Sequence, residues 1–346
     1  MSAPAPLAAP TTVLWEITRA CNLRCRHCLT RSGRPAPDEL STGEALRVCD
    51  ELAELGVRAV ALMGGEPLVR PDWAELAARL HARGVAPGLV TNGLLLDNDA
   101  LDRALAAGVN QVVVGLDGDE RAHEAIRGRR TFGRALDAVV RAGRAGVRHR
   151  MVVTSVHREN AAALPALREL LLERAPGITW ALNFTSIPEG SRMDRALRAD
   201  AELFRRTVEF VVESRQRSRG RIEVTGSHDM GYCSTRFGEL SGGPWRGCPA
   251  GLETLGIGAS GAIKGCLTLP DRLAEANVRD RPLADVWRDP QAFHYARRFR
   301  LADLRGACAG CEHGALCRGG CLEVSLERSG EPHHAPFCLH RMERDG

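Results

Sequence analysis

Residues 12–184 alternate between short runs of β-branched and apolar residues and longer segments with helical spacing. Thr12–Thr18 is apolar and β-branched, and Gly43–Leu55 repeats its apolar residues at the spacing of a helix face. Ala59–Met63 then reads as a strand, Trp73–Ala82 as a helix, Ala86–Thr91 as a strand and Asp99–Ala107 as a helix. Gln111–Leu116, with three consecutive valines, is a strand, Thr131–Ala145 a helix, Val147–Ser155 a strand, Leu164–Glu173 a helix and Ile178–Phe184 a strand. Such alternation predicts a parallel sheet with right-handed crossovers. Six units fall short of a closed eight-unit barrel. The expected fold is therefore α/β, a partial (β/α)6 TIM-like barrel, with a doubly wound flat sheet as the alternative. Further on, Leu255–Ile257 and Ala262–Lys264 flank Ala259-Ser260-Gly261 as a β-hairpin, and Val286, Trp287 and Phe293 read as packing on a short helix.

Chemistry in parallel α/β folds gathers beyond the carboxyl ends of the strands. Those ends carry Arg19-Ala20-Cys21, Met63-Gly64-Gly65-Glu66-Pro67, Thr91-Asn92-Gly93, Leu116-Asp117-Gly118, Thr154-Ser155 and Asn183. All six would meet at one rim.

Composition narrows the class only a little. Hydrophobic residues at 44% and charged residues at 26% exclude wholesale disorder. No apolar run approaches the roughly 18 residues of a membrane helix, so no membrane partner is expected. The start, MSAPAPLAAP, lacks the basic and apolar regions of a secretory signal, so the chain is expected to be cytoplasmic. A net charge of +4, with Lys264 the single lysine among 47 basic residues, is too mild to argue for nucleic acid. The 12 cysteines change the picture. Cys21, Cys25, Cys28 and Cys49 precede a stretch from 50 to 232 that has none, and eight more run from Cys233 to Cys338. In a reducing compartment, clustered cysteines read as metal or redox ligands.

Cys21-x3-Cys25-x2-Cys28 puts three thiolates on one short loop. Structural zinc takes four ligands, and 4Fe–4S clusters usually take four cysteines. Three ligands leave one metal open to a small molecule, unless His27 or a distant residue completes a zinc knuckle. With Gly64-Gly65-Glu66-Pro67, the triplet resembles the radical S-adenosylmethionine (radical SAM) superfamily. That resemblance implies a 4Fe–4S cluster on Cys21, Cys25 and Cys28 whose free iron chelates S-adenosylmethionine. It implies that Gly64, Gly65, Glu66 and Pro67 receive the methionine ammonium, and that His27 stands where the family usually has an aromatic residue beside the adenine. Thr91-Asn92-Gly93, then Leu116-Asp117-Gly118 with His123 to Gly128 and Thr131-Phe132, resemble the family's third- and fourth-strand regions. Asp117 is expected to contact ribose hydroxyls or substrate, and Thr154 or Ser155 the cofactor's ribose or carboxylate. Each of these small polar residues reads equally as strand-end turn chemistry. The implied chemistry is reductive cleavage of the sulfonium to a 5′-deoxyadenosyl radical, which takes hydrogen from an unactivated C–H.

Cys248-x12-Gly261-x4-Cys266, followed by Cys308-x2-Cys311-x5-Cys317-x3-Cys321 and Cys338, resembles the seven-cysteine SPASM extension of that superfamily. It implies two auxiliary clusters, three 4Fe–4S clusters in all: Cys248, Cys266 and Cys321 on the first, Cys308, Cys311, Cys317 and Cys338 on the second. Two zinc ions are the alternative that spacing alone does not separate. The first set lacks a fourth cysteine, so either Cys233 reaches it or the site is open. Sulfatase-maturating relatives carry a catalytic aspartate just after the second SPASM cysteine. Here that neighbour is Leu267, which argues against formylglycine formation. Cys49, inside the first helix, reads as a small core residue.

The expected organisation is a disordered segment 1–11, a radical SAM partial barrel 12–225, a linker 226–247 and a SPASM domain 248–346. SPASM enzymes most often modify ribosomally made peptides, forming crosslinks, thioethers or epimers. A second group dehydrogenates or epimerises sugars, aminocyclitols or other small natural-product intermediates. An iron–sulfur electron carrier is the reading outside enzymology, and the open-iron triplet beside GGEP argues against it. Expected partners are a precursor peptide or small-molecule substrate and a flavodoxin- or ferredoxin-type reductant. Because the core starts at about residue 12, a leader-binding protein would be separate. Cys233, Asp117, His228 and Tyr232 are the catalytic candidates, with Glu189, Arg192 and Asp229 on the substrate side. Cys233 has two expected roles, fourth cluster ligand or hydrogen-atom donor.

Overall fold

The computed structural model describes residues 5–184, 187–227, 230, 234, 240 and 245–345. In chain order the elements are β1 (Thr12–Thr18), α1 (Thr42–Leu55), β2 (Ala59–Gly64), α2 (Trp73–Ala82), β3 (Ala86–Thr91), α3 (Asn98–Ala106), β4 (Gln111–Gly115), α4 (Glu120–Arg127) and α5 (Phe132–Arg144). Then come β5 (His149–Val156), α6 (Leu164–Arg174), β6 (Thr179–Phe184), α7 (Ala201–Ser218), β7 (Glu223–Gly226), β8 (Thr254–Ile257), β9 (Ala262–Lys264), β10 (Ala276–Asn277) and α8 (Leu283–Arg288). β1, α2 and β3 have the bounds their periodicity predicts. Local chemistry fixes several ends. Ser41 and Glu44 form a reciprocal capping box at α1, which Gly56 closes in a left-handed conformation. Asp119 caps α4 through the Ala122 N–H.

The strand order β10-β9-β8-β1-β2-β3-β4-β5-β6-β7 decides between the two expected architectures. β1 to β7 lie in sequence order and pair in parallel. A doubly wound sheet needs a point where the order reverses. With right-handed crossovers and no reversal, the helices fall on one face and the sheet curls around the other. The fold is therefore the partial barrel, and β7 adds a seventh consecutive parallel strand to the six units predicted. β7 has only four residues, too short for its alternation to register.

On the outer face, Val13, Trp15, Ile17, Val60, Leu62, Val112, Val114, Val152, Trp180 and Leu182 pack into one apolar core with the helices. Residues at the alternate positions, such as Leu14, Ala61, Met63, Val153 and Ser155, are only half-buried and line the inner face. Cys49 is fully buried in the helix layer and donates its S–H to the Leu76 carbonyl, as a core residue does.

The predicted hairpin is β8–β9, and it joins the barrel's own sheet. β8 pairs in parallel with β1, from Thr12↔Thr254 to Trp15↔Ile257. A Cβ at Gly256 would stand 2.4 Å from the Leu267 amide nitrogen, so only glycine lets the Cys266–Leu267 segment cross β8 there. Arg297 holds the region behind it. Its guanidinium sits 4.7 Å from the Trp287 ring and 4.6 Å from the Phe293 ring, and donates to the carbonyls of Gly251 and Trp287.

Candidate active site

Beyond β1 the chain closes a loop of residues 19–33. Thr18 Oγ1 and the Arg19 N–H donate to Glu39, Ala20 bridges Gly33, and the Cys21 N–H donates to the Gly33 carbonyl at 3.2 Å. Cys21, Cys25 and Cys28 sit on this loop, all half-buried. Its far side is tied down as well. The Arg26 N–H donates to the Ile126 carbonyl at the end of α4, the Arg192 N–H to the Cys28 carbonyl, and the Asp194 N–H to the Arg26 carbonyl. The Arg26 side chain pairs with Glu159 at 2.8 Å and Asp194 at 2.6 Å. Burial pushes the Cys25 thiol up to about 11, against the pull of Arg127.

The turn after β2 lies directly under the loop. The Gly65 N–H donates to the Thr18 carbonyl at 2.8 Å and the Glu66 N–H to the Ala20 carbonyl at 2.9 Å. A Cβ at Gly64 would fall 2.2 Å from the Thr18 oxygen, and one at Gly65 would fall 2.2 Å from the Ala20 oxygen. The two glycines are thus required by the protein's own packing, apart from any approach of a ligand. Pro67 opens a single 3-10 turn, with Glu66 before it. The Glu66 carboxylate, wholly buried, accepts from Thr91 Oγ1, the Asn92 N–H and the Leu68 N–H. Burial pushes it up to about 7, with these donors opposing. Asn92 Nδ2 reaches back to Asn22 Oδ1 at 2.7 Å, so β2, β3 and the cysteine loop are laced together.

Asp117 is the hub of the opposite side. The i, i+4 spacing of His123 and Arg127 puts both on the face of α4 that looks at it. Arg127 Nε donates to Asp117 Oδ2 at 2.6 Å, and His27 Nε2 lies 2.9 Å from the same oxygen. Oδ1 accepts the Ser155 N–H at 3.0 Å, and the Asp117 N–H donates to His123 Nδ1. Burial alone would raise this carboxyl, but Arg127 and His27 outweigh it and hold it well below its ordinary range. Burial lowers His123 and His157 to about 4, so both are neutral.

Asp117 is 0% exposed, and both of its oxygens are engaged, by His27 and Arg127 on one side and the Ser155 N–H on the other. Thr154 points outward, donating to the Leu116 carbonyl at 2.5 Å and accepting from Trp180 Nε1 at 2.8 Å, so it packs the wall. Ser155 faces inward. The His27 ring is 7% exposed and stands edge-on to His157 at 6.4 Å. His228, Asp229, Tyr232 and Cys233 lie outside the described residues.

The C-terminal cysteines fall into two groups. Cys308, Cys311, Cys317 and Cys338 line one small cavity, with His313 and His340 at its edge. Cys248 and Cys321 are hydrogen-bonded thiol to thiol, and Cys266 is electrostatically coupled to Cys248. Among the described residues, Glu312, His313 and His340 form the set whose ligand atoms all lie within 4.8 Å of one another.

Two residues escaped the sequence reading. Arg127 is coupled to Cys21 and Cys25 as well as to Asp117. Glu16, a charge inside the apolar run TVLWEIT, was the legible signal of the second. It is 1% exposed and lines a cavity of about 470 Å³ shared by the cysteine loop (Leu29, Thr30, Arg31) and the hairpin side (Lys264, Leu267, Thr268). Its Oε2 accepts from Arg19 Nε, while Oε1 has no hydrogen-bond partner. Burial raises the carboxyl, with Arg19 opposing. Glu189 lines the same cavity and pairs with Arg272 at 3.4 Å.

A curled parallel sheet with a three-thiol loop at its carboxyl rim defines the class, and residues 15–171 match the Radical SAM superfamily model. The chain belongs to the radical SAM superfamily of enzymes, whose cofactors are S-adenosylmethionine and an iron–sulfur cluster. It is 33% identical over 330 residues to a protein named mycofactocin maturase MftC from Mycobacterium tuberculosis, covering 92% of this chain and 80% of the relative. It is 27% identical to an AdoMet-dependent heme synthase from Methanosarcina barkeri, covering 96% of this chain and 97% of that one. Its fold matches Streptococcus suis SuiB bound to S-adenosylmethionine, with a TM-score of 0.74, 19% identity, and coverage of 96% and 76%. It also matches native anSMEcpe with bound AdoMet, with a TM-score of 0.75, 16% identity, and 96% coverage of both chains.

Removing the charge at the hub should be costly, because it leaves Arg127, whose side chain is only 13% exposed, without its counter-charge. Asp117→Asn is expected to lower folding stability at pH 7 by about 3–5 kcal/mol in denaturant titration. Since the folded carboxyl titrates below its ordinary 3.8, the stabilisation is complete above about pH 4 and fades as the pH falls below that. A variant within about 1 kcal/mol of the wild type would remove Asp117 from this role.

Proposed function

We propose that this chain is a peptide maturase that abstracts hydrogen from an unactivated carbon of a ribosomally made peptide, leaving a crosslink, thioether or epimer. The observation that carries the reading is the three-thiol loop, clamped by Glu39, Glu66 and the Asp117 hub, opening beside the cavity that the β8–β9 side completes. The relative named as a maturase, matched over nearly the whole chain, supports it.

In this reading Cys21, Cys25 and Cys28 hold the cluster that, once reduced, supplies the electron for cleavage of S-adenosylmethionine. The protein's part is positional and electrostatic. Arg127 brings one positive charge to the thiolates and another bond to the hub, so the loop keeps its shape when the thiols ionise. Gly64, Gly65, Glu66 and Pro67, with Thr91 and Asn92, fix the floor where the methionine end of the cofactor rests. Ser155 faces in toward its ribose or carboxylate, and His27 holds the adenine side. The apolar inner face of Leu14, Ala61, Met63 and Val153 keeps water from a reactive carbon radical. Substrate enters the cavity beside Glu16, whose free oxygen accepts from an N–H or O–H of the peptide. Cys308, Cys311, Cys317 and Cys338 hold one auxiliary cluster, and Cys248, Cys266 and Cys321 the other, with Cys233 as its fourth ligand. His228 and Tyr232 complete the substrate side. An external one-electron reductant completes the system.

A second reading, a small-molecule dehydrogenase or epimerase, draws support from the heme synthase relative, matched nearly end to end. Mass spectrometry separates them. With dithionite, the anaerobic enzyme is expected to yield 5′-deoxyadenosine and methionine, and to change the mass of a peptide encoded beside its gene, by loss of hydrogen for a crosslink or thioether or by uptake of deuterium in D2O for an epimer. Cleavage without any peptide change, but with conversion of a small metabolite, would establish the second reading.

Three 4Fe–4S clusters, two of them on sets of only three spaced cysteines, predict roughly 11–12 irons per chain in anaerobically purified protein. Cys233→Ala is expected to lower the iron content or alter the spectrum of one auxiliary cluster. Intact clusters with uncoupled 5′-deoxyadenosine formation would instead make Cys233 a hydrogen-atom donor, and zinc with little iron in the wild type would overturn the whole reading.

A further inference from the structure

Beside Cys21 lies an open cavity of about 760 Å³ lined by Asn22, Gly33 and four arginines, Arg24, Arg31, Arg34 and Arg192. No carboxylate lines it. Arg24, Arg31 and Arg34 are exposed, and among the described residues none of the four has an ion-pair partner. The contrast with the next basic residue is direct, since Arg26 is paired twice over. Arg192 donates through Nη2 to the carbonyls of Arg31 and Ser32, and its Nη1 is buried without any partner. Arg31 is held at a φ of 58°, a conformation a side chain with a Cβ rarely adopts. The chain's whole net charge is +4, so this one cavity concentrates a positive charge equal to the entire excess.

We propose that this arginine rim is the docking surface for an acidic one-electron carrier protein that reduces the cluster on the Cys21 loop. The proposal rests on reading Cys21, Cys25 and Cys28 as that cluster's ligands. The step moves one electron and no atom: the carrier's reduced flavin or iron–sulfur centre is oxidised by one electron, and the cluster is reduced by one. A donor must come close to a ligand thiol, and Cys21 lines this same cavity. Four unpaired guanidiniums around it attract a carboxylate-rich surface and steer its approach.

The test is stopped-flow reduction of the cluster-loaded full chain by reduced flavodoxin, with dithionite as a small, non-docking reductant. Wild-type reduction by flavodoxin is expected to slow at least ~10-fold as salt rises, because steering is screened. The Arg24→Glu/Arg34→Glu double variant should be slowed by ~10-fold or more at low salt and lose most of that salt dependence, with Arg24→Gln/Arg34→Gln intermediate. Calorimetry should show weaker flavodoxin binding, while iron content, S-adenosylmethionine affinity and the dithionite rate stay unchanged. Equal flavodoxin rates and binding in variant and wild type would overturn the proposal. So would loss of iron, of S-adenosylmethionine affinity or of substrate affinity under dithionite, since the rim would then belong to the cofactor or substrate site. A wild type that holds no reducible cluster would instead sink the underlying reading of the three cysteines.

Discussion

The Asp117 carboxylate is a charge at the inner end of β4 that no water reaches, and four separate pieces of chain converge on it. His27 brings the cysteine loop, Arg127 brings α4, Ser155 brings β5, and His123 holds the Asp117 backbone. A buried carboxylate is tolerable only when its partners are in place. The loop between β1 and α1 is therefore not free to wander: moving it strips His27 from the hub. On the other side Glu66 performs the same service between β2, β3 and Asn92. Three thiols on an otherwise irregular loop are held between two buried carboxylates.

Much of this was legible in the residues. Binary patterning set the strands through β6, since each outer face must match the helix covering it. The cysteine spacing and GGEP pointed to the chemistry. The roles of single polar residues were less readable. Asp117 and Thr154 stand at strand ends and look ligand-facing in sequence. Which face a strand-end side chain takes depends on register, and there Thr154 turned outward to Trp180 while Asp117 was enclosed by α4. α4 is an eight-residue helix whose polar residues hid the partnership of His123 and Arg127. β7 was too short to register. Glu16 was visible as a charge in an apolar run, yet its cavity exists only because β8 pairs with β1 across more than two hundred residues.

That pairing also links the two thiol-rich regions. β8–β9 extends the barrel's sheet, Gly256 lets the Cys266–Leu267 segment cross it, and the same segment walls the Glu16 cavity. The cysteine loop and the segment that follows Cys266 thus wall one shared space, the one proposed to receive substrate. The arginine rim opens beside Cys21 and shares Arg31 with the Glu16 cavity.

In the proposed enzyme the Cys21, Cys25 and Cys28 loop presents one iron to S-adenosylmethionine inside the barrel. Electron–nuclear double resonance on the reduced protein, with S-adenosylmethionine labelled with 15N at its amino group, reads that contact. A 15N coupling to the reduced cluster is expected, absent when the cofactor is omitted or when Cys21, Cys25 and Cys28 are replaced by alanine. A reduced cluster whose signal is indifferent to the labelled cofactor would exclude the contact.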